Sequence, residues 1–176
     1  MIKIILLFIN IFFYTSSVYA FETKAKQAYL IDVLSGKVLL KKNENERISP
    51  ASITKIMTTI VAFDLIKKGE LKLEEKIKIS KKAWRMSSKG YSSMFIMPGD
   101  KVSVENLLKG IIVVSGNDAC VALAQGIAGT EEEFVNMMNS MSEKIGLTNT
   151  KFANSSGLYS ENNYSTVEDI AKMSIY

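Results

Sequence analysis

Two short polar runs hold residue types that can carry nucleophilic chemistry: Ser52-Ile53-Thr54-Lys55 and Ser115-Gly116-Asn117. A serine hydroxyl is a poor nucleophile until something takes its proton. The chain of 176 residues has no His and a single Cys, Cys120. A Ser-His-Asp or Cys-His apparatus and imidazole-bound zinc are therefore excluded. One Cys cannot close an internal disulfide or build a Cys metal cluster. The base must be Lys, Asp, Glu or Tyr. Residues three apart share one helix face, so Ser52 Oγ and the Lys55 ammonium can meet at a helix N-terminus. Desolvation and the positive end of the helix dipole both lower a lysine pKa, which leaves a neutral amine to act as base. Taken alone, Ser-x-x-Lys also reads as a serine cap followed by a surface lysine. Pro50 before it and the apolar run behind it favour a buried face around Lys55. Ser115-Gly116-Asn117 reads alone as a helix-breaking turn or as the lining of a cleft. In a cleft, Ser115 could relay a proton to a leaving group. The Asn117 amide donates and accepts at once, which suits a peptide-like substrate. No metal or other cofactor is expected.

The elements that must position these residues follow from patterning. Lys26 to Leu34 and Lys37 to Leu40 read as two strands joined at Ser35-Gly36. Ser49-Pro50-Ala51 breaks the pattern. Ile53, Ile56, Met57, Ile60, Val61 and Leu65 then recur at helical spacing. They predict a helix over Ser52 to Lys68 with Gly69 past its end, and place Ser52 at the helix start with apolar neighbours on most sides. Lys76 to Ile79 reads as a short strand, and Trp84 to Gly99 as irregular. Ser103 caps a helix over Val104 to Val114. Ser115-Gly116-Asn117 separates it from an apolar helix over Asp118 to Ile127. Thr130-Glu131-Glu132-Glu133 opens a helix to about Ile145, and Ser165-Thr166-Val167-Glu168 opens a last one. No repeat or low-complexity segment divides the chain. Its length and its 47% hydrophobic and 23% charged content fit a folded chain with a real core.

The first twenty residues read as a secretory leader. Lys3 precedes an apolar run from Ile4 to Tyr14, and Val18-Tyr19-Ala20 places small residues at both key positions for cleavage after Ala20. The run is short for a membrane span, although an uncleaved anchor is the alternative. Either way the remainder, residues 21–176, is expected to be exported. Lys3 is the one charge in the leader, so the remainder carries 21 Lys plus Arg against 18 Asp plus Glu, net +3. The lysines are interleaved with Glu and form no dense basic stripe, so no nucleic-acid partner is expected.

Ser-x-x-Lys heading an apolar helix, then Ser-x-Asn between two helices in an exported chain, is the motif order of penicillin-recognising serine acyl enzymes. Residues 49–58, Ser-Pro-Ala-Ser-Ile-Thr-Lys-Ile-Met-Thr, resemble the nucleophile segment of D-alanyl-D-alanine carboxypeptidases, the low-molecular-mass penicillin-binding proteins. Residues 115–124, Ser-Gly-Asn-Asp-Ala-Cys-Val-Ala-Leu-Ala, resemble their second motif, and Asn154-Ser155-Ser156-Gly157-Leu158 and Tyr164-Ser165-Thr166 resemble segments that follow it. The likeness runs from about Ala25 to the end. It implies that Ser52 attacks the carbonyl between the two terminal D-alanines of a peptidoglycan stem peptide, with Lys55 as general base. It implies that Ser115 passes the proton to the departing D-alanine and that Asn117 binds the substrate backbone. β-Lactams would acylate the same Ser52. The implied fold is α/β (α+β): an antiparallel sheet flanked by helices, with an all-α lobe holding Ser115. The implied location is the periplasm or the envelope side of the cytoplasmic membrane, with peripheral inner-membrane association in full-length relatives.

The family's third motif, Lys-Thr-Gly or a close relative, is not found after Ser115. Its strand binds the substrate carboxylate and supplies an oxyanion donor, whose loss costs on the order of a hundredfold to a thousandfold in rate. Residues 21–176 therefore read as an incomplete catalytic domain, with C-terminal strands missing and apolar helix faces left uncovered. Two further readings stay open: a truncated remnant that at most binds peptidoglycan or a partner, and a β-lactamase. Glu132 with Asn136 resembles a deacylating glutamate only superficially and reads as a solvated cap. Tyr91 and Tyr159 read as core or surface residues, and Cys120 as a small core residue.

Overall fold

The computed structural model describes residues 22–176, so the expected leader lies outside the described residues. Strands β1 (Ala28–Ile31) and β2 (Val38–Lys42) pair antiparallel, with Tyr29 opposite Lys41 and Leu30 opposite Leu40. Asp32 turns the chain between them: its Oδ1 accepts from the N–H groups of Leu34 at 2.9 Å and Ser35 at 3.4 Å.

Pro50 opens a single 3-10 turn over Ala51–Ile53, and helix α1 (Thr54–Lys68) follows without a break. Ser52 thus sits in the 3-10 turn, not in the α-helix. It is exposed rather than enclosed by apolar neighbours. No side chain caps either helical start, so the serine is not a cap. The buried face of α1 begins two residues later at Thr54 and Lys55 and continues through Met57, Thr58, Val61 and Ala62. Gly69 takes φ +76° at the helix end, as its position after Lys68 predicts.

Strand β3 (Lys76–Lys78) pairs antiparallel with β4 (Lys101–Ser103). β4 was not legible in the sequence, nor was helix α2 (Lys81–Ser88), which occupies the start of the stretch expected to be irregular. α2 is only eight residues long, and Ala83 is its one buried residue. The Ser80 hydroxyl caps it, accepting from Ala83 N–H at 3.0 Å. Helix α3 (Val104–Val114) is capped by Ser103, as expected. Helix α4 (Asn117–Ala128) starts one residue earlier than its apolar pattern. Helix α5 (Glu131–Lys144) is capped by Thr130.

Helix α6 (Val167–Ile175) is capped by Thr166, whose hydroxyl accepts from Asp169 N–H at 3.1 Å, and not by Ser165. The reason is a backbone bridge. Ser165 exchanges N–H···O bonds with Ile48 at 2.8 and 3.0 Å and so is held extended, which moves the cap one residue on.

Residues 117–124 of α4 are all buried, making this helix the axis of the core. One side packs with Leu107 and Ile111 of α3 and with Ile77 and Ala83, and the other with Met57, Val61, Phe134, Met138 and Phe152. The result is an α/β arrangement of small antiparallel sheets and helices, with Ser115 at the junction of α3 and α4 and the β3–β4 pair packed on the same core, so this region is not the all-α lobe expected. Several apolar side chains stand in solvent among the described residues, including Leu30, Leu39, Ile112 and Val113.

Candidate active site

Lys55 Nζ lies 3.1 Å from Ser52 Oγ and donates to the Ser156 carbonyl at 2.7 Å. One helical turn supplies the first contact; the second crosses 101 residues of sequence. Lys55 is 5% exposed, and this burial holds its ammonium pKa below the ordinary lysine value. A buried amine beside an exposed hydroxyl is the arrangement needed to take the serine proton without a histidine.

The turn carrying Ser52 is forced into place. Ala51 adopts φ +46°, a left-handed conformation that costs an L-residue roughly 1–2 kcal/mol. Gly157 packs directly against its carbonyl. Behind Lys55, Thr58 Oγ1 donates to the Ser155 carbonyl at 2.7 Å, and Asn163 Nδ2 donates to Thr54 Oγ1 at 3.3 Å. Glu131, at the start of α5, accepts from Ser155 N–H and Oγ–H at 3.2 and 2.9 Å and forms an ion pair with Lys82 at 3.0 Å.

Ser115 ends α3 in a left-handed conformation, φ +55° and ψ +37°. Asn117 N–H donates to the Ser92 carbonyl at 2.8 Å. Asp118, fully buried, ties down the segment before β4. Its carboxylate accepts from Ser87 Oγ–H at 2.8 Å and from the N–H groups of Met94, Ile96 and Ala119 at 3.0, 3.3 and 2.8 Å.

Ser52, Lys55 and Ser115 line one cleft of about 250 Å³, with Ile56, Thr59, Ile111 and Ile112. Ser115 makes no direct hydrogen bond to Ser52 or Lys55 among the described residues. Asn117 is 6% exposed in the first turn of α4 and does not line this cleft. A larger hollow of about 360 Å³ lies between α1 and α5, where Asp64 pairs with Lys68 at 2.7 Å and Lys144 at 3.6 Å. Its lining includes none of Ser52, Lys55 and Ser115.

Tyr91, Tyr159, Glu132 and Cys120 do not line the cleft. Tyr91 and Tyr159 are exposed, and Glu132 is an exposed partner of Lys82 at 3.4 Å. Cys120 is fully buried, and its thiol is pushed up to about 12, chiefly by desolvation. Among the described residues no cluster of three His, Cys, Asp or Glu could hold a metal, and no helix is long and apolar enough to cross a membrane. Spacing assigned no role to Glu131, Asn154, Ser156 or Asp118. Only the adjacency of Asp118 to Asn117, and the Asn154–Leu158 likeness, pointed toward them.

A family model described as D-alanyl-D-alanine carboxypeptidase matches residues 14–176. The chain belongs to the D-alanyl-D-alanine carboxypeptidase family. It is 47% identical over 150 residues to D-alanyl-D-alanine carboxypeptidase DacF of Bacillus subtilis, covering 85% of this chain and 38% of the relative. Among solved structures of this fold it resembles D-alanyl-D-alanine carboxypeptidase DacD of Francisella tularensis at TM-score 0.84 and 41% identity, covering 89% of this chain and 37% of that one. It also resembles penicillin binding protein 5 of Haemophilus influenzae at TM-score 0.86 and 38% identity, covering 90% and 46%. The chain thus spans less than half the length of these family members.

Proposed function

We propose that the chain carries the acylation centre of a serine-type D-alanyl-D-alanine carboxypeptidase acting on peptidoglycan stem pentapeptides. The observation that carries this reading is the 3.1 Å contact between the exposed Ser52 hydroxyl and the buried Lys55 amine. Neutral Lys55 takes the hydroxyl proton as Ser52 Oγ bonds to the carbonyl carbon between the two terminal D-alanines. The Ser52 N–H lies in the first helical turn, where amides lack an intrahelical acceptor, and so can meet the developing oxyanion. The C–N bond then breaks as Ser115 relays the proton held by Lys55 to the amine of the departing D-alanine, which returns Lys55 to the free amine. Water attacks the Ser52 ester and yields a proton to Lys55, which returns it to Ser52 Oγ as the ester bond breaks and the shortened peptide leaves. Asn117 is assigned to the substrate's amide backbone, which requires the substrate to reach past the cleft lining. β-Lactams acylate the same serine. The leader over residues 1–20 supports export to the periplasmic or envelope side of the membrane, where the peptidoglycan substrate lies.

A second reading is favoured by one observation. Ile112 at the cleft wall is 62% exposed. On that reading the chain binds peptidoglycan or a partner without turnover. Release of D-alanine from a stem pentapeptide decides between them. Ser52-dependent release supports the carboxypeptidase; binding without release supports the second reading. Fast turnover of a chromogenic cephalosporin would instead indicate a β-lactamase.

A further inference from the structure

The loop over residues 154–158 is organised by one side chain. Asn154 Oδ1 accepts from the N–H groups of Ser156, Gly157 and Leu158 at 3.2, 2.7 and 3.1 Å, and its Nδ2 donates to the Leu158 carbonyl at 2.8 Å. Asparagine commonly orders a turn in this way. Here, however, two loop carbonyls point away from the loop and onto α1. That of Ser155 accepts from Thr58 Oγ1, and that of Ser156 accepts from Lys55 Nζ. Between these anchors and Leu158, Gly157 presses on the Ala51 carbonyl, one residue before Ser52. A single amide group therefore fixes the loop that touches Lys55 and the residue before Ser52.

We propose that Asn154 is a positioning residue for the base: by gathering three amides on one oxygen it aims the Ser156 carbonyl at Lys55 Nζ and closes the loop over Lys55. The inference rests on Lys55 being the base, and adds what keeps that base dry. Asn154 touches neither Ser52 nor Lys55 directly, so it acts through the Ser156 and Gly157 backbone.

The expected sign follows from the geometry. Desolvation is the leading cause of the low Lys55 pKa. Without Asn154 the loop loosens, water reaches Nζ and the ammonium is favoured again. The Lys55 titration then moves up. At neutral pH the fraction of free amine, and with it the acylation rate, falls about tenfold for each unit of upward movement.

Two measurements on the purified chain test this. One is the Lys55 titration followed by NMR of ¹³Cε-labelled lysine, assigned with Lys55→Arg. The other is the pH profile of labelling by a fluorescent penicillin. Asn154→Ala should move both upward. A Lys55 titration in Asn154→Ala that matches wild type overturns the proposal. If Asn154→Ala does not fold, Asn154→Ser replaces it. Its shorter side chain cannot span all three amides, and the same upward shift supports the proposal while an unmoved titration defeats it. Failure of the wild-type chain to take the label counts against the acylation reading alone, because the NMR titration needs no activity.

Discussion

Gly157 lies so close to Ala51 that a Cβ on the glycine would collide with the Ala51 carbonyl oxygen. The obstacle is backbone, which cannot swing aside, and Gly157 also sits at φ +82°. Gly157→Ala should destabilise the fold by at least about 1–3 kcal/mol, a typical cost of backbone strain. It should also displace the turn carrying Ser52. Denaturant midpoints measure the first effect, and the penicillin labelling rate of the folded fraction measures the second.

Ser52→Ala should behave oppositely. Ser52 is exposed, and its hydroxyl accepts one hydrogen bond, from Lys55. Stability should change by no more than about 0.5 kcal/mol, as at other surface positions. D-alanine release should vanish, so that a thermal melt and an activity assay on one preparation separate the nucleophile from the scaffold.

Lys55 makes the pH dependence explicit. Its folded pKa is lowered by desolvation, whereas the unfolded value is about 10.4. Between the two, the unfolded chain binds more protons, so stability rises with pH across that window. The acylation rate should rise over the same region as the free amine appears. Lys55→Met keeps the buried stem and removes the titration. It should slow acylation by about 10²–10⁴, the usual contribution of a general base, and flatten the rate's rise with pH.

Asp118 accepts four donors while fully buried. Asp118→Ala leaves the Met94 and Ile96 amides without this acceptor and should cost about 2–4 kcal/mol. Asp118→Asn retains one acceptor oxygen and should cost less. Hydrogen exchange at residues 94 and 96 should accelerate in both.

The chemistry was more legible in the sequence than its support. Helical spacing alone places Lys55 against Ser52, and Ser103 and Thr130 announce the helices they cap. Ser52's exposure escaped prediction because Pro50 and Ala51 start a 3-10 turn before the α-helix, a detail set by the left-handed Ala51 and its contact with Gly157. α2 has eight residues and β4 three, too short for a periodic signal to stand out from the neighbouring segments. The loop at Asn154 reaches Lys55 across 101 residues of chain, a separation that no local pattern encodes. Ser165 resembled a cap only because its pairing with Ile48 is invisible in one dimension.

The central claim is that Ser52 is a nucleophile activated by Lys55. Mass spectrometry of the purified chain after exposure to penicillin tests it most directly. One covalent adduct is expected, located on Ser52, formed faster as pH rises and absent from Ser52→Ala. A folded chain that forms no adduct, or that forms the same adduct in Ser52→Ala, would contradict it.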